Sequence, residues 1–137
     1  MTSLNEELIY RIAVTLIPGI GNMNAKKLIA WCGEPETIFR EPRNSLMKIP
    51  GMSKILKGNV NFRDLLATAE QEVNFIVNSG ITPLYYYDDE YPERLKQCAD
   101  SPLMLYYKGK DNIFDKRMLA VVGTRKATSY GKRACQD

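Results

Sequence analysis

A glycine, small hydroxyl residues and two cations stand together near the end of this 137-residue chain, in the run Gly123-Thr124-Arg125-Lys126-Ala127-Thr128-Ser129-Tyr130-Gly131. The run follows directly on the apolar segment Met118 to Val122. A strand that breaks at a glycine and leads through hydroxyls and cations into a helix start has the layout of a backbone-amide pocket for phosphate. Gly123 would let the backbone pass close to a ligand, and Thr128 or Ser129 would cap the helix while its first N–H groups face an anion. Arg125 would add a planar fork of donors suited to phosphate oxygens. The named nucleotide fingerprints do not fit. G-x-G-x-x-G fails at Arg125, and the residue five before Gly131 is Lys126, which removes the Walker A reading. The alternative is an ordinary strand-to-helix turn with exposed cations.

A second phosphate signal lies in Leu16-Ile17-Pro18-Gly19-Ile20-Gly21, between two helical patterns. The following helix, Asn24 to Cys32, carries Lys26 and Lys27 in its first turns. This is the form of a helix-hairpin-helix: Gly19 and Gly21 permit a tight turn whose amides, with the next helix N-terminus, can hold a backbone phosphate without reading bases. A second copy, Ile49-Pro50-Gly51-Met52-Ser53, follows 32 residues later, with Ser53 in place of Gly21 and Gly58 interrupting the helix that should follow. For this copy a structural role as a folding corner is expected.

Charge is segregated along the chain. Residues 1–60 carry a net +3, residues 61–100 a net −5 and residues 101–137 a net +5. Both phosphate candidates therefore lie in basic blocks, and the acidic middle reads as a solvated face or a docking site for a basic partner. The total of +3 is too small to establish nucleic-acid binding by itself. The three cysteines, Cys32, Cys98 and Cys135, are widely spaced, and there is no histidine. This pattern points to reduced thiols rather than to a metal site or a disulfide framework. The N-terminus has no basic leader, and Glu6, Glu7 and Arg11 interrupt its apolar residues, so it reads as an amphipathic helix and not as a signal or membrane span. A cytoplasmic protein without membrane insertion is expected.

The elements that must position these residues change character near residue 80. Ser3-x-x-Glu6 is a capping box that opens a helix with Leu8, Ile9, Ile12, Ala13, Leu16 and Ile17 at helical spacing. Gly33 and Pro35 end the second helix, short helical pieces fall near Glu36–Phe39 and Ser45–Ile49, and a long helix runs from Asn61 to Asn78 with Gly80 as its stop. From Ile81 the pattern becomes that of strands: Ile81 to Tyr87, Leu103 to Tyr107, and Met118 to Val122 as a short buried-type run. Tyr91-Pro92-Glu93-Arg94-Leu95 suggests a helix between the first two. This order resembles the opening of a mostly parallel α/β sheet, whose ligands sit at strand carboxyl ends. Tyr85, Tyr86, Tyr87, Tyr91, Tyr106 and Tyr107 are expected to be packing residues for the most part, leaving Tyr130 as the tyrosine to consider for ligand contact.

Taken together, the Pro-Gly-Ile-Gly hairpin, Tyr91-Pro92 with Leu95, Ser101-Pro102-Leu103 leading to Leu105-Tyr106-Tyr107-Lys108-Gly109, and Val121-Val122-Gly123-Thr124-Arg125 with Thr128 and Tyr130-Gly131 resemble the start of the DNA-processing protein A (DprA/Smf) family. The resemblance implies a bacterial single-stranded-DNA-binding protein that protects incoming DNA during natural transformation and helps to load the RecA recombinase. It implies a sterile-alpha-motif-like (SAM-like) helical domain followed by a Rossmann-like DNA-binding domain, with the family's phosphate-binding arginine falling on Arg125. No catalytic residue and no cofactor are carried over.

The expected fold class is thus α+β: an all-helical SAM-like module with helix-hairpin-helix turns over residues 1–80, then the incomplete start of a Rossmann-like α/β sheet over residues 81–137. The chain is expected to be the N-terminal portion of a longer protein. Short strands with uncovered edges also lead us to expect self-association through residues 81–137. The expected phosphate or DNA contacts are Gly123, Thr124, Arg125, Lys126, Thr128, Tyr130 and Gly131, with Gly19, Gly21, Lys26 and Lys27 as a second set. Two other functions compete. A nucleotide-binding enzyme of related fold could use Glu90 or Glu93, although neither has a partner legible in the sequence and no histidine is available. A helical protein-interaction module would use the Asn61–Asn78 helix and the acidic middle.

Overall fold

The computed structural model describes residues 3–110 and 116–136. Ser3 and Glu6 cap helix α1 (Leu4–Thr15) reciprocally: the Glu6 amide donates to Ser3 Oγ (3.3 Å) and the Ser3 amide donates to Glu6 Oε2 (2.9 Å). Two of the amides that a helix start leaves unpaired are thereby satisfied. The chain then turns at Ile17-Pro18-Gly19-Ile20. The Ile20 amide donates to the Ile17 carbonyl at 3.2 Å, and Gly19 takes φ +74°, a conformation that other residues adopt only with strain.

Helix α2 (Gly21–Cys32) begins three residues earlier than the apolar pattern suggests and ends at Gly33, where φ is +88°. Pro35 then opens α3 (Pro35–Arg40), as suits a residue without an amide hydrogen at a first helical position. Helices α4 (Arg43–Met47) and α5 (Met52–Leu56) flank a second turn, in which the Met52 amide donates to the Ile49 carbonyl (3.0 Å) and Gly51 has φ +88°. The two Pro-Gly turns are therefore equivalent in their bonding and in the position of the left-handed glycine. The Arg43 guanidinium donates to the Val60 carbonyl and lies over the Phe62 ring, which fastens α4 to the start of α6 (Phe62–Ser79). Asn61 caps α6, and Gly80 ends it in the left-handed region, with the Ile81 amide reaching back to the Ile76 carbonyl (3.1 Å).

Strand β1 (Thr82–Tyr85) pairs antiparallel with β2 (Met104–Tyr107) in the register Thr82 to Tyr107 and Tyr85 to Met104. The expected parallel arrangement does not occur between these two strands. Their connection contains only the four-residue helix α7 (Glu93–Lys96), and it closes on itself through the Tyr86 amide and the Leu103 carbonyl (2.9 Å) instead of crossing the sheet face. A parallel crossover needs a segment, usually a full helix, that passes across the sheet face, and this connection folds back beside its own strand ends instead. Strand β1 also stops short of Tyr87, because Asp88 turns the chain: its Oδ2 accepts from the Tyr85 amide and its own amide donates to the Tyr85 carbonyl, each at 2.9 Å.

The expected strand Met118 to Val122 is not formed. The segment is without ladder bonds, and Leu119 and Val122 are 90% and 92% exposed. Its β-branched and apolar content suits a strand, but strand structure requires a hydrogen-bonding neighbour, and none pairs with it among the described residues. Helix α8 (Ser129–Ala134) follows.

One apolar core joins the helices to the hairpin. Ile12, Ala13, Leu28, Ile38, Leu46, Met52, Leu56 and Val73 belong to the same buried cluster as Tyr85, Leu103 and Met104. The change of pattern at residue 80 thus falls between elements that share their core. Leu103→Ala should lower stability by about 2–5 kcal/mol in urea unfolding, with the loss of helix followed by far-ultraviolet circular dichroism shifted to the same extent. A change confined to the hairpin, with the helical transition unmoved, would show that the core is not shared.

Candidate nucleic-acid interface

The glycine-arginine run lies at the surface. Its hydroxyls organise it locally: Thr124 Oγ1 donates to the Lys126 carbonyl (2.9 Å), while Thr128 caps α8 by accepting from the Gly131 amide (3.1 Å). The cap expected at Thr128 or Ser129 is therefore made by Thr128. Gly131 is packed closely beneath that cap, since a Cβ there would come within 3.3 Å of Thr128 Oγ1. Gly123 is less constrained. It is not among the glycines of positive φ, and a Cβ would meet nothing within 4 Å, so no backbone constraint within the described residues requires glycine there. Arg125, Lys126 and Tyr130 are exposed, with Tyr130 at 77%.

The electrostatics of this segment are one-sided. Residues 116–136 contain Lys116, Arg117, Arg125, Lys126, Lys132 and Arg133 and no Asp or Glu. Among the described residues none of these six cations forms an ion pair. No ion pair among the described residues competes with an anionic ligand here, and phosphate contacts by Lys and Arg give binding that is strong at low salt and independent of sequence.

The second set of candidates has a different environment. Gly19 and Gly21 are both left-handed, at φ +74° and +62°. The Lys26 ammonium, however, is turned inward: it donates to Ser101 Oγ (2.7 Å) and the Ala99 carbonyl (3.3 Å) and lies 4.1 Å from the centre of the Tyr86 ring. Lys27 reaches the Pro50 carbonyl of the second turn at 3.5 Å. Asn22 completes a clamp, its Oδ1 accepting from the Leu103 amide (3.2 Å). The first helical turns of α2 thus hold the 99–103 loop and touch the second hairpin, and these side chains fasten parts of the protein to one another. The clamp joins residues 73 to 81 positions apart, a separation at which no local spacing rule operates. A polar Ser101 directly before an apolar strand was the available signal.

The residues from Tyr91 to Leu103 have structural duties as well. Tyr91 is buried and its hydroxyl donates to the Pro102 carbonyl (2.6 Å); Pro92 precedes α7; Ser101 is buried; Leu103 is fully enclosed. Tyr85 is likewise buried, Tyr86 half-buried and Tyr87 exposed. The sequence of residues 82–137 matches the family DNA recombination-mediator protein A. Over these residues the chain is similar to that family. The DNA processing protein DprA of Bacillus subtilis (strain 168) is 38% identical over 72 residues, a stretch that covers 52% of this chain and 22% of that protein. No solved structure matches. Within residues 82–137 the structure distinguishes two groups: Tyr91, Ser101 and Leu103, buried in packing, and the surface run from Gly123 to Gly131.

Partial burial disfavours the charged form of Lys26 and lowers its pKa from the usual 10.5, with Asp100 and then Cys98 opposing the shift. The sign is that of a cation whose folded-state pKa is depressed: between the two values the unfolded chain binds more protons, so stability should rise with pH across that interval. Titration of Lys26 by carbon-detected nuclear magnetic resonance should give a midpoint below 10.5, and a midpoint at the ordinary value would contradict the desolvation of its ammonium.

Proposed function

We propose that this chain contributes to DNA processing in recombination by binding single-stranded DNA through its phosphates, as part of a DprA-like protein. The observation that carries the reading is the coincidence of the family match with a surface run of six cations and no carboxylate. The contacts proposed are the Arg125 fork, Lys126, the backbone and hydroxyls of Gly123, Thr124, Thr128 and Gly131, and Tyr130 stacking on a base. Gly19 and Gly21 form a secondary backbone site in this reading, while Lys26 and Lys27 have internal partners to release before they could join it.

In the same reading residues 1–80 are the SAM-like module and residues 81–137 the start of a Rossmann-like sheet, with single-stranded DNA and the RecA recombinase as partners in the cytoplasm during transformation. The family description as a recombination mediator supports the second partner. Among the described residues no helix is long and apolar enough to cross a membrane. The exposed Met118, Leu119, Val121 and Val122 favour self-association, since an extended apolar segment without a ladder can pair with an edge of β1 or β2 in another copy.

Fluorescence anisotropy with a labelled single-stranded oligonucleotide tests the proposal. Arg125→Ala should weaken binding about tenfold and reduce the slope of log affinity against log salt by about one, whereas Glu70→Gln, on the far side of the charge pattern, should leave both unchanged. Salt-dependent binding that is indifferent to Arg125→Ala would move the site off the glycine-arginine run. Sedimentation should show a concentration-dependent mass that Val122→Lys reduces; a strictly monomeric mass would contradict the proposed self-association.

A further inference from the structure

A cavity of about 370 Å³ opens between α1, the α2–α3 corner and the end of β1, and shares no residue with the proposed DNA contacts. Its volume is in the range of small-ligand sites. Tyr10, Tyr85 and Tyr87 line it, together with Glu7, Glu34 and Glu36 and one basic residue, Arg11. The lining thus holds three acidic residues against one basic residue, among aromatic and apolar ones.

The partners within the cavity are unequally distributed. Arg11 is committed to the protein itself: Nη2 stands 3.4 Å from Glu7 Oε2, Nη1 stands 3.6 Å from Asp88 Oδ1, and the guanidinium carbon lies 4.4 Å from the centre of the Tyr85 ring. Glu36 is held by Arg40 at 2.5 Å. Glu34 has no ion-pair partner among the described residues, although it stands at the N-cap of α3 and makes no capping bond. Tyr87, which lines the same cavity, is 50% exposed, with its ring centre 5.3 Å from that of Tyr85 and the planes inclined at 54°. One half of the cavity is thus already arranged as a guanidinium on a tyrosine face between carboxylates. The other half offers a second tyrosine face and a second carboxylate with no cation.

We propose that this cavity binds a guanidinium group, which stacks on Tyr87 and pairs with Glu34 as Arg11 stacks on Tyr85 and pairs with Glu7 and Asp88. A planar, weakly hydrated cation suits an aromatic slot bordered by carboxylates better than a compact ammonium does. An anion is disfavoured there by the surplus of carboxylates. The group has two sources, a free small molecule or an arginine side chain presented by a protein, and the chemistry of recognition is common to both.

Titration of the whole chain with agmatine, with acetyl-Gly-Arg-Gly amide and with neutral butylurea, followed by amide chemical shifts, distinguishes them. Agmatine or the peptide should shift resonances around Glu34 and Tyr87, and butylurea should not. Glu34→Gln and Tyr87→Ala should each weaken the binding about fivefold; both side chains are at the surface, so the fold is retained and circular dichroism should be unchanged. Tighter binding of the peptide assigns the site to an arginine side chain, and tighter binding of agmatine assigns it to a small molecule. Equal shifts with butylurea, no response to either cation, or binding unaffected by both substitutions would overturn the proposal.

Discussion

The attachment of the 99–103 loop to helix α2 is the interaction on which the rest of this structure depends. Leu103 is fully buried in the cluster formed by the helices, and the polar groups around it are matched rather than left in the apolar interior: Asn22 takes its amide, and Lys26 takes Ser101 and Ala99. Buried donors and acceptors without partners cost more than a typical hydrogen bond contributes, so a loop can enter a core only where such partners wait for it. Those partners sit on the opening turns of α2, and the left-handed glycines at 19 and 21 determine where those turns begin.

This arrangement assigns different work to the two basic regions. In the hairpin, the cations close to the turn are drawn into contacts that hold the protein together, and the second hairpin supplies one of the acceptors. In residues 116–136 the cations form no ion pair among the described residues, and the hydroxyl bonds of Thr124 and Thr128 organise the run locally. Electrostatic availability, rather than the number of lysines and arginines, is what distinguishes a candidate phosphate surface from a basic scaffold. The family match over residues 82–137 spans both kinds of residue, so its individual positions carry different meanings.

Much of the local structure was legible in the sequence because it rests on short-range rules. The Ser3–Glu6 box, the Asn61 start and Gly80 stop of α6, and the paired Pro-Gly turns all appear where their chemistry requires them. The helix after the first turn starts at Gly21 rather than Asn24, since backbone bonding extends beyond the apolar stripe. Long-range pairing is less legible. The direction of β2 depends on the closure of Tyr86 onto Leu103, and the fate of Met118 to Val122 depends on a neighbour, neither of which periodicity encodes. Of the candidate site, the Thr128 cap was foreseeable, whereas the inward turn of Lys26 and the cavity beside Tyr87 arise from residues brought together by the tertiary fold alone.

The central claim, that helices and hairpin form one cooperative unit through the Leu103 anchor while the cationic run stands outside it, is tested most directly by native-state amide hydrogen exchange. The account predicts that amides of α1, α2, α6, β1 and β2 open with a common free energy and a common dependence on denaturant, while those of residues 116–128 exchange almost unprotected. A hairpin that opens well below the helices, or protection of residues 118–122 equal to that of α6 in the monomer, would contradict it.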